Sequence, residues 1–190
     1  MDRTERITAF TDAVMAVAIT LLVLNLEVPV LADPSASELW RSLRDLLDDF
    51  AAYLLSFALV GRFWLLHHRL FERLREFDQR LLLLNLAFLA LIVLVPFGAD
   101  LLDRYGKLSP ACVVFASVIG LAALTHGAMI RHAERAKLEL RPHEMGPVRL
   151  VGVAGLFLAS VPVALLSTWV AQGMWIATLF LPTLRRQGKS

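Results

Sequence analysis

Arg6, Thr11 and Asp12 stand at the entrance of an apolar stretch, "RITAFTDAVMAVAITLLVLNLEVPV" (residues 6–30), and Thr20 adds a hydroxyl further in. A carboxylate near a guanidinium and hydroxyls can hold a cation, relay a proton or brace neighbouring helices. Trp64, His67 and His68 form a second chemically capable group. Adjacent histidines point about 100° apart on a helix, so they do not share a metal as an i, i+4 pair does. A structural hydrogen bond to the Asp12 group, proton sensing and ligation of haem or metal are the three readings of these histidines. His126 lies alone in an apolar stretch, and His132 and His143 fall in a polar connection. Cys112 is the sole cysteine, which excludes an intrachain disulfide and a cysteine metal cluster. No serine, cysteine or carboxylate pair is arranged with a base for catalysis, so the chain does not read as an enzyme.

These residues sit in a chain that is 57% hydrophobic and 19% charged with a mean hydropathy of +0.63, far more apolar than a soluble domain needs. About 20 apolar residues of helix cross the roughly 30 Å hydrocarbon layer. Six such windows are expected: about 7–31, 49–68, 80–102, 110–131, 148–166 and 167–184. An amphipathic segment, "SELWRSLRDLLDD", leads into the second, with Ser37 as its expected cap. Pro96 is expected to kink the third helix rather than end it. The sequence shows no soluble domain or internal repeat, so the expected fold is an all-α, six-helix integral membrane bundle forming a single domain over residues 1–190.

Positive charge sets the orientation. Fourteen lysines and arginines fall on one side, around Arg3 and Arg6, Arg69 to Arg80, Arg131 to Arg149, and Arg185 to Lys189. Only Arg41, Arg44, Arg104 and Lys107 fall on the other, and Arg62 lies within the second helix. Both termini are therefore expected in the cytoplasm. The net charge of +2 hides this asymmetry, and no aromatic and basic pattern of a nucleic-acid binder is present. The first segment also resembles a cleavable signal peptide, but Asp12 and Glu27 bracket its apolar core and it counts as the first span.

An unpaired aspartate at the centre of a span costs about 2.5–3.5 kcal/mol on insertion scales, so Asp12 calls for an interfacial position or a partner. Arg62 snorkels or pairs with an acid such as Asp12. Val17, Leu21 and Leu24 recur at i, i+4 and i+7, one stripe with Ala13 below and Thr20 alongside. By spacing alone such a stripe is more often plain packing than a pore wall.

Arg6, Phe10, Thr11 and Asp12, an Arg-x-x-x-Phe-Thr-Asp motif followed by "AVMAVAITLLVLNLEVP", resemble the signature and first helix of the transmembrane protein 175 family of lysosomal potassium channels and their prokaryotic relatives. "FALVGRFWLLHHRLF" (57–71) and "LNLAFLALIVLVPF" (84–97) are similar to that family too. The resemblance implies a homotetramer of six-helix subunits in a prokaryotic inner membrane, passing potassium and other monovalent cations, with room for protons, down their gradients. It places Val17, Leu21 and Leu24 at stacked hydrophobic constrictions and Thr20 at the hydroxyl position beside them. Arg6, Phe10, Thr11 and Asp12 become a signature network braced against Trp64, His67 and His68.

Two positions depart from the family pattern: Thr11 replaces serine and keeps the hydroxyl, and Val17 replaces isoleucine and widens the innermost layer. No Thr-Val-Gly-Tyr-Gly filter is present, no cofactor is expected, and narrow apolar rings would gate by dewetting. Glu27 and Asn25 at the outer mouth would concentrate cations, unless Glu27 is a solvated end residue. A membrane redox, quinone or haem subunit and a noncatalytic membrane scaffold are the competing classes.

Overall fold

A computed structural model describes residues 3–32, 34–138 and 148–179. The expected end of the sixth helix beyond residue 179, together with His143, Arg185, Arg186 and Lys189, lies outside the described residues. The chain is all helical there: α1 (Arg3–Leu21), continued by a 3-10 turn (Leu22–Asn25), α2 (Ala36–Asp45), α3 (Leu47–Phe71), α4 (Gln79–Val93), α5 (Val95–Tyr105), α6 (Ser109–Arg135), α7 (Val148–Leu166) and α8 (Thr168–Leu179).

Among the described residues, four stretches are long and apolar enough to cross a membrane: Glu5–Asn25, Asp49–Phe71, Gln79–Tyr105 and Ser109–Arg135. They coincide with the first four expected spans. The apolar part of α7 described at side-chain level, Gly152–Leu166, is shorter. The α7–α8 boundary falls as expected at Ser167, whose N–H still donates to the Val163 carbonyl at 2.8 Å.

The boundaries differ from expectation where side chains compete with the helix. The first helix stops well short of residue 31: it tightens at Leu22 and is extended from Leu26. Pro29 carries no N–H and pushes Val28 out of the helical region, so the last turn closes early, with Leu26 N–H on the Val23 carbonyl at 3.1 Å. The cap of α2 is Ser35, not Ser37; its hydroxyl accepts the Glu38 N–H at 3.2 Å, and Ser37 bonds only that hydroxyl. Pro96 interrupts the third span at Leu94 without ending it, since Gly98 N–H reaches the Leu94 carbonyl at 3.0 Å. The result is one apolar track in two segments, α4 and α5.

The core is organised around α6, whose buried face of Ala111, Ala116, Ala122, Ala123 and Ala133 admits close neighbours. Phe115 meets Trp175 of α8, which stacks on Phe157 of α7. The Trp175 indole N–H donates to the Ser160 hydroxyl at 2.7 Å, so this large buried ring leaves no polar atom unpaired. Gly120 marks a close approach of α6 to α7: a Cβ there would lie 2.7 Å from Leu158 Cδ2 and 2.8 Å from its Cγ.

At the other end of α6, His132 reaches across to Asp78, the N-cap of α4. One Asp78 oxygen accepts the Leu81 N–H at 2.7 Å and the other meets His132 Nε2 at 2.6 Å. Slight burial pushes the Asp78 carboxyl up, but the Leu81 N–H, His132 and nearby Arg80 outweigh it and hold it below the ordinary carboxylate range.

Two outcomes follow for protein in detergent. Gly120→Val is expected to lower stability by about 1–3 kcal/mol through overpacking against Leu158, read as a fall in the thermal midpoint. Asp78→Ala is expected to cost about 0.5–2 kcal/mol at neutral pH. A depressed carboxylate stabilises while ionised, so the gap between wild type and Asp78→Ala should be complete at neutral pH and shrink as pH falls below the ordinary carboxylate range.

Candidate functional site

Helix α1 has two faces of opposite character. Thr11, Met15, Ala18 and Leu22, at steps of 4, 3 and 4, are buried within the subunit. Phe10, Val17, Leu21 and Leu24 point away from it, with exposures of 53%, 56%, 38% and 70%. Ala13 and Thr20 lie on the same exposed side. The stripe singled out by spacing is thus the outward surface of α1.

A buried polar chain determines which way α1 turns. Asn85 of α4 is fully buried; its amide nitrogen donates to the Thr11 hydroxyl at 2.9 Å, and its amide oxygen lies 2.9 Å from His67 Nε2 of α3. With the amide in this orientation its oxygen can only accept, so Nε2 of His67 carries the proton. The His67 ring is packed against Phe71 at 3.9 Å between centroids and stacked on Phe88 at 5.2 Å. Beside this chain, the Trp64 indole N–H donates to the Asp12 carboxylate at 3.0 Å. His68 stacks on Trp64 at 5.4 Å and meets Glu72 at 3.2 Å.

The expected network is therefore assembled around Thr11, Asp12, Trp64 and His67, with three differences. Its hub, Asn85, carried no assigned role in the sequence; the signal was there, a single amide in the run "LLLLNLAFLALIVL". Arg6 and Phe10 do not join the network: both are exposed and line a surface cavity of about 430 Å³ with Ile7 and Leu82, and among the described residues no ion pair ties Arg6 to Asp12. His68 touches Trp64 rather than Asp12, so it stands behind the brace.

Arg62 does not pair with Asp12 either. It lies two residues, about 200° of helix rotation, from Trp64, and so faces α8, where it donates to the Thr178 carbonyl. That carbonyl lies on α8, so the guanidinium ties α3 to α8.

At the opposite end of α1, Glu27 is not a free charge. Arg104 Nη2 meets it at 2.6 Å while Nε holds Asp100 at 2.9 Å. Asn25 donates to the Pro96 carbonyl at 3.1 Å, which ties the 3-10 turn to the interruption between α4 and α5. Thr20 donates to the Val17 carbonyl at 2.9 Å, so its proton is spent within the helix and its oxygen remains an exposed acceptor.

His126 of α6 lies near His67, 5.7 Å between ring centroids and tilted by 56°, and meets Phe88 at 5.3 Å. His67 Nε2 is committed to Asn85, which removes that nitrogen from use as a ligand in this arrangement. Among the described residues no three His, Cys, Asp or Glu side chains converge as a metal-ligand set.

Residues 6–96, the region of the brace and stripe, match the family model described as the endosomal/lysosomal potassium channel TMEM175. A potassium channel of Chamaesiphon minutus is 32% identical over 90% of this chain and 89% of its own length. The chain belongs to the TMEM175 family. A potassium channel of Streptomyces collinus is 35% identical over 71% of this chain, and the match spans 66% of that relative. Among solved structures, the crystal structure of a lysosomal potassium-selective TMEM175 homologue from Chamaesiphon minutus superposes with a TM-score of 0.81 at 29% identity, covering 94% of this chain and 95% of that one. The TMEM175 likeness thus extends beyond the first three spans to the later helices.

Replacing Asn85 by leucine would strand Thr11 and His67 in an apolar interior. Asn85→Leu is expected to lose about 1–2 kcal/mol of stability, and Thr11→Val part of that, while Thr11→Ser stays close to wild type. Thermal unfolding in detergent checks this order; equal midpoints for Asn85→Leu and wild type would remove Asn85 from its role as hub.

Proposed function

We propose that this chain is one subunit of a potassium-permeable channel. Four copies place α1 around a central axis, with six membrane spans per subunit and both termini on the cytoplasmic side of a prokaryotic inner membrane. Val17, Leu21 and Leu24 form the stacked constrictions and Thr20 contributes a hydroxyl oxygen beside them. The observation that carries this reading is the inside-out polarity of α1: its polar side is tied into its own subunit through Thr11, while its apolar stripe faces outward. The potassium channels named among its relatives, and the potassium-selective homologue it superposes on, support the choice of ion.

Four leucines converging on an axis make a ring too apolar to stay wet when narrow, so ions pass when it widens or fills with water. The Thr20 oxygen, with its proton already given to Val17, is an acceptor suited to a cation rather than an anion. Glu27 and Asp100 share one guanidinium, which leaves an excess of negative charge near the end of α1. Such a field raises local cation concentration and weakens with salt. No carbonyl cage is needed: pore width, the threonine oxygens and this field set selectivity, and a wetted pore passes protons as well.

The test is a flux assay in liposomes with a potassium gradient. Wild type is expected to pass potassium above the level of empty liposomes, and Leu24→Ala to raise the flux several-fold by shortening the residue at the outermost ring. Light scattering of the purified protein is expected to give the mass of four chains. A folded tetramer that passes no potassium at any voltage or pH would overturn the channel reading.

A further inference from the structure

Helix α2 is amphipathic in the wrong sense for packing on its own subunit. Leu39, Trp40 and Leu43 occupy one face, and Leu47 at the start of α3 extends it; their exposures are 42%, 64%, 39% and 63%. Glu38, Arg41, Ser42, Arg44 and Asp45 take the other face. The partly covered positions are the polar Glu38 and Ser42, and no residue of α2 is buried. The subunit therefore takes the polar side and leaves the apolar side without a partner.

Connectivity restricts where α2 sits. A single residue, Leu46, separates it from α3, whose Asp49–Phe71 stretch crosses the membrane, so α2 is held at the level where that span begins. This is the end of α3 opposite Trp64 and His68. The apolar face of α2 also continues into an exposed stripe of Phe50, Leu54 and Phe57 along α3, at steps of 3, 4 and 3 from Leu47. A tryptophan on such a face belongs at the headgroup level, where its ring is half in hydrocarbon and its N–H is wet.

We propose that α2 is a membrane-surface helix that docks on the interfacial layer of the phospholipid bilayer. Leu39, Trp40, Leu43 and Leu47 enter the acyl boundary, and Arg41 and Arg44 stay among headgroups and water. Its occupant is the lipid of the same bilayer that surrounds α3, because the two apolar faces are continuous. The four charges of α2, Glu38, Arg41, Arg44 and Asp45, cancel, so docking draws on apolar burial and does not require anionic lipid. The helix then anchors the connection between the first and second spans.

Site-directed spin labelling of the full chain in phosphatidylcholine vesicles tests this directly. Leu39→Cys, Leu43→Cys, Arg41→Cys and Arg44→Cys are each labelled; Cys112 is buried, and mock-labelled wild type gives the background. Labels at 39 and 43 are expected to collide mainly with oxygen, and those at 41 and 44 mainly with a water-soluble nickel complex. Adding phosphatidylglycerol should leave the pattern unchanged. Labels at 39 and 43 that the nickel complex reaches as easily as those at 41 and 44 would overturn the proposal. So would labels shielded from both reagents with spin–spin broadening, the sign of a second copy on this face, or a pattern that needs phosphatidylglycerol. None of these outcomes depends on whether the protein conducts ions, so the membrane contact of α2 and the channel reading stand or fall separately.

Discussion

A buried amide inside a lipid-embedded bundle has no water to fall back on, and Asn85 is where this fold meets that constraint. Its nitrogen must donate and its oxygen must accept, and among the described residues the polar side chains it bonds are Thr11 on α1 and His67 on α3. Three helices are thereby locked in rotation about one side chain. With Thr11 held inward, Met15, Ala18 and Leu22 follow onto the same buried face, and Val17, Leu21 and Leu24 have to face outward. The outward stripe is a consequence of the inward bond. Trp64 adds a second tether through Asp12, so the carboxylate that seemed out of place in an apolar helix is the acceptor that orients an indole.

Charges elsewhere obey the same rule. Arg62 donates to the Thr178 carbonyl of α8, Asp78 caps α4 while pairing with His132, and Arg104 bridges Glu27 and Asp100. Each solution joins elements distant in sequence, so polar groups act as the registration marks of a bundle whose apolar faces alone would slide. The apolar contacts then need only be close, and α6, lined with alanines and Gly120, supplies that closeness.

Much of this was legible from residue types. The apolar windows placed the first four spans, Pro96 signalled an interrupted third helix, and the Arg-x-x-x-Phe-Thr-Asp motif led to the right family. The spacing of Val17, Leu21 and Leu24 picked out a real face of α1. Less legible were partners. On a linear reading Arg62 either snorkels or pairs with an acid such as Asp12, yet helix rotation sends the two to different neighbours; Glu27 reads as an outer-mouth charge or a solvated end residue until α5 brings Arg104 alongside. The bond that ties the 3-10 turn to the third span, Asn25 to the Pro96 carbonyl 71 residues away, has no local signal.

The sequence by itself determined that the chain lives in a membrane, roughly where its first four spans lie and which family it joins, because hydropathy, helical period and a local motif are properties of short stretches. Tertiary structure alone decided which polar atom answers which, and therefore which face of α1 is sealed inside and which is presented outward. A hydrogen bond joins two specific atoms at about 3 Å, and no pattern along the chain encodes that distance until the helices are packed.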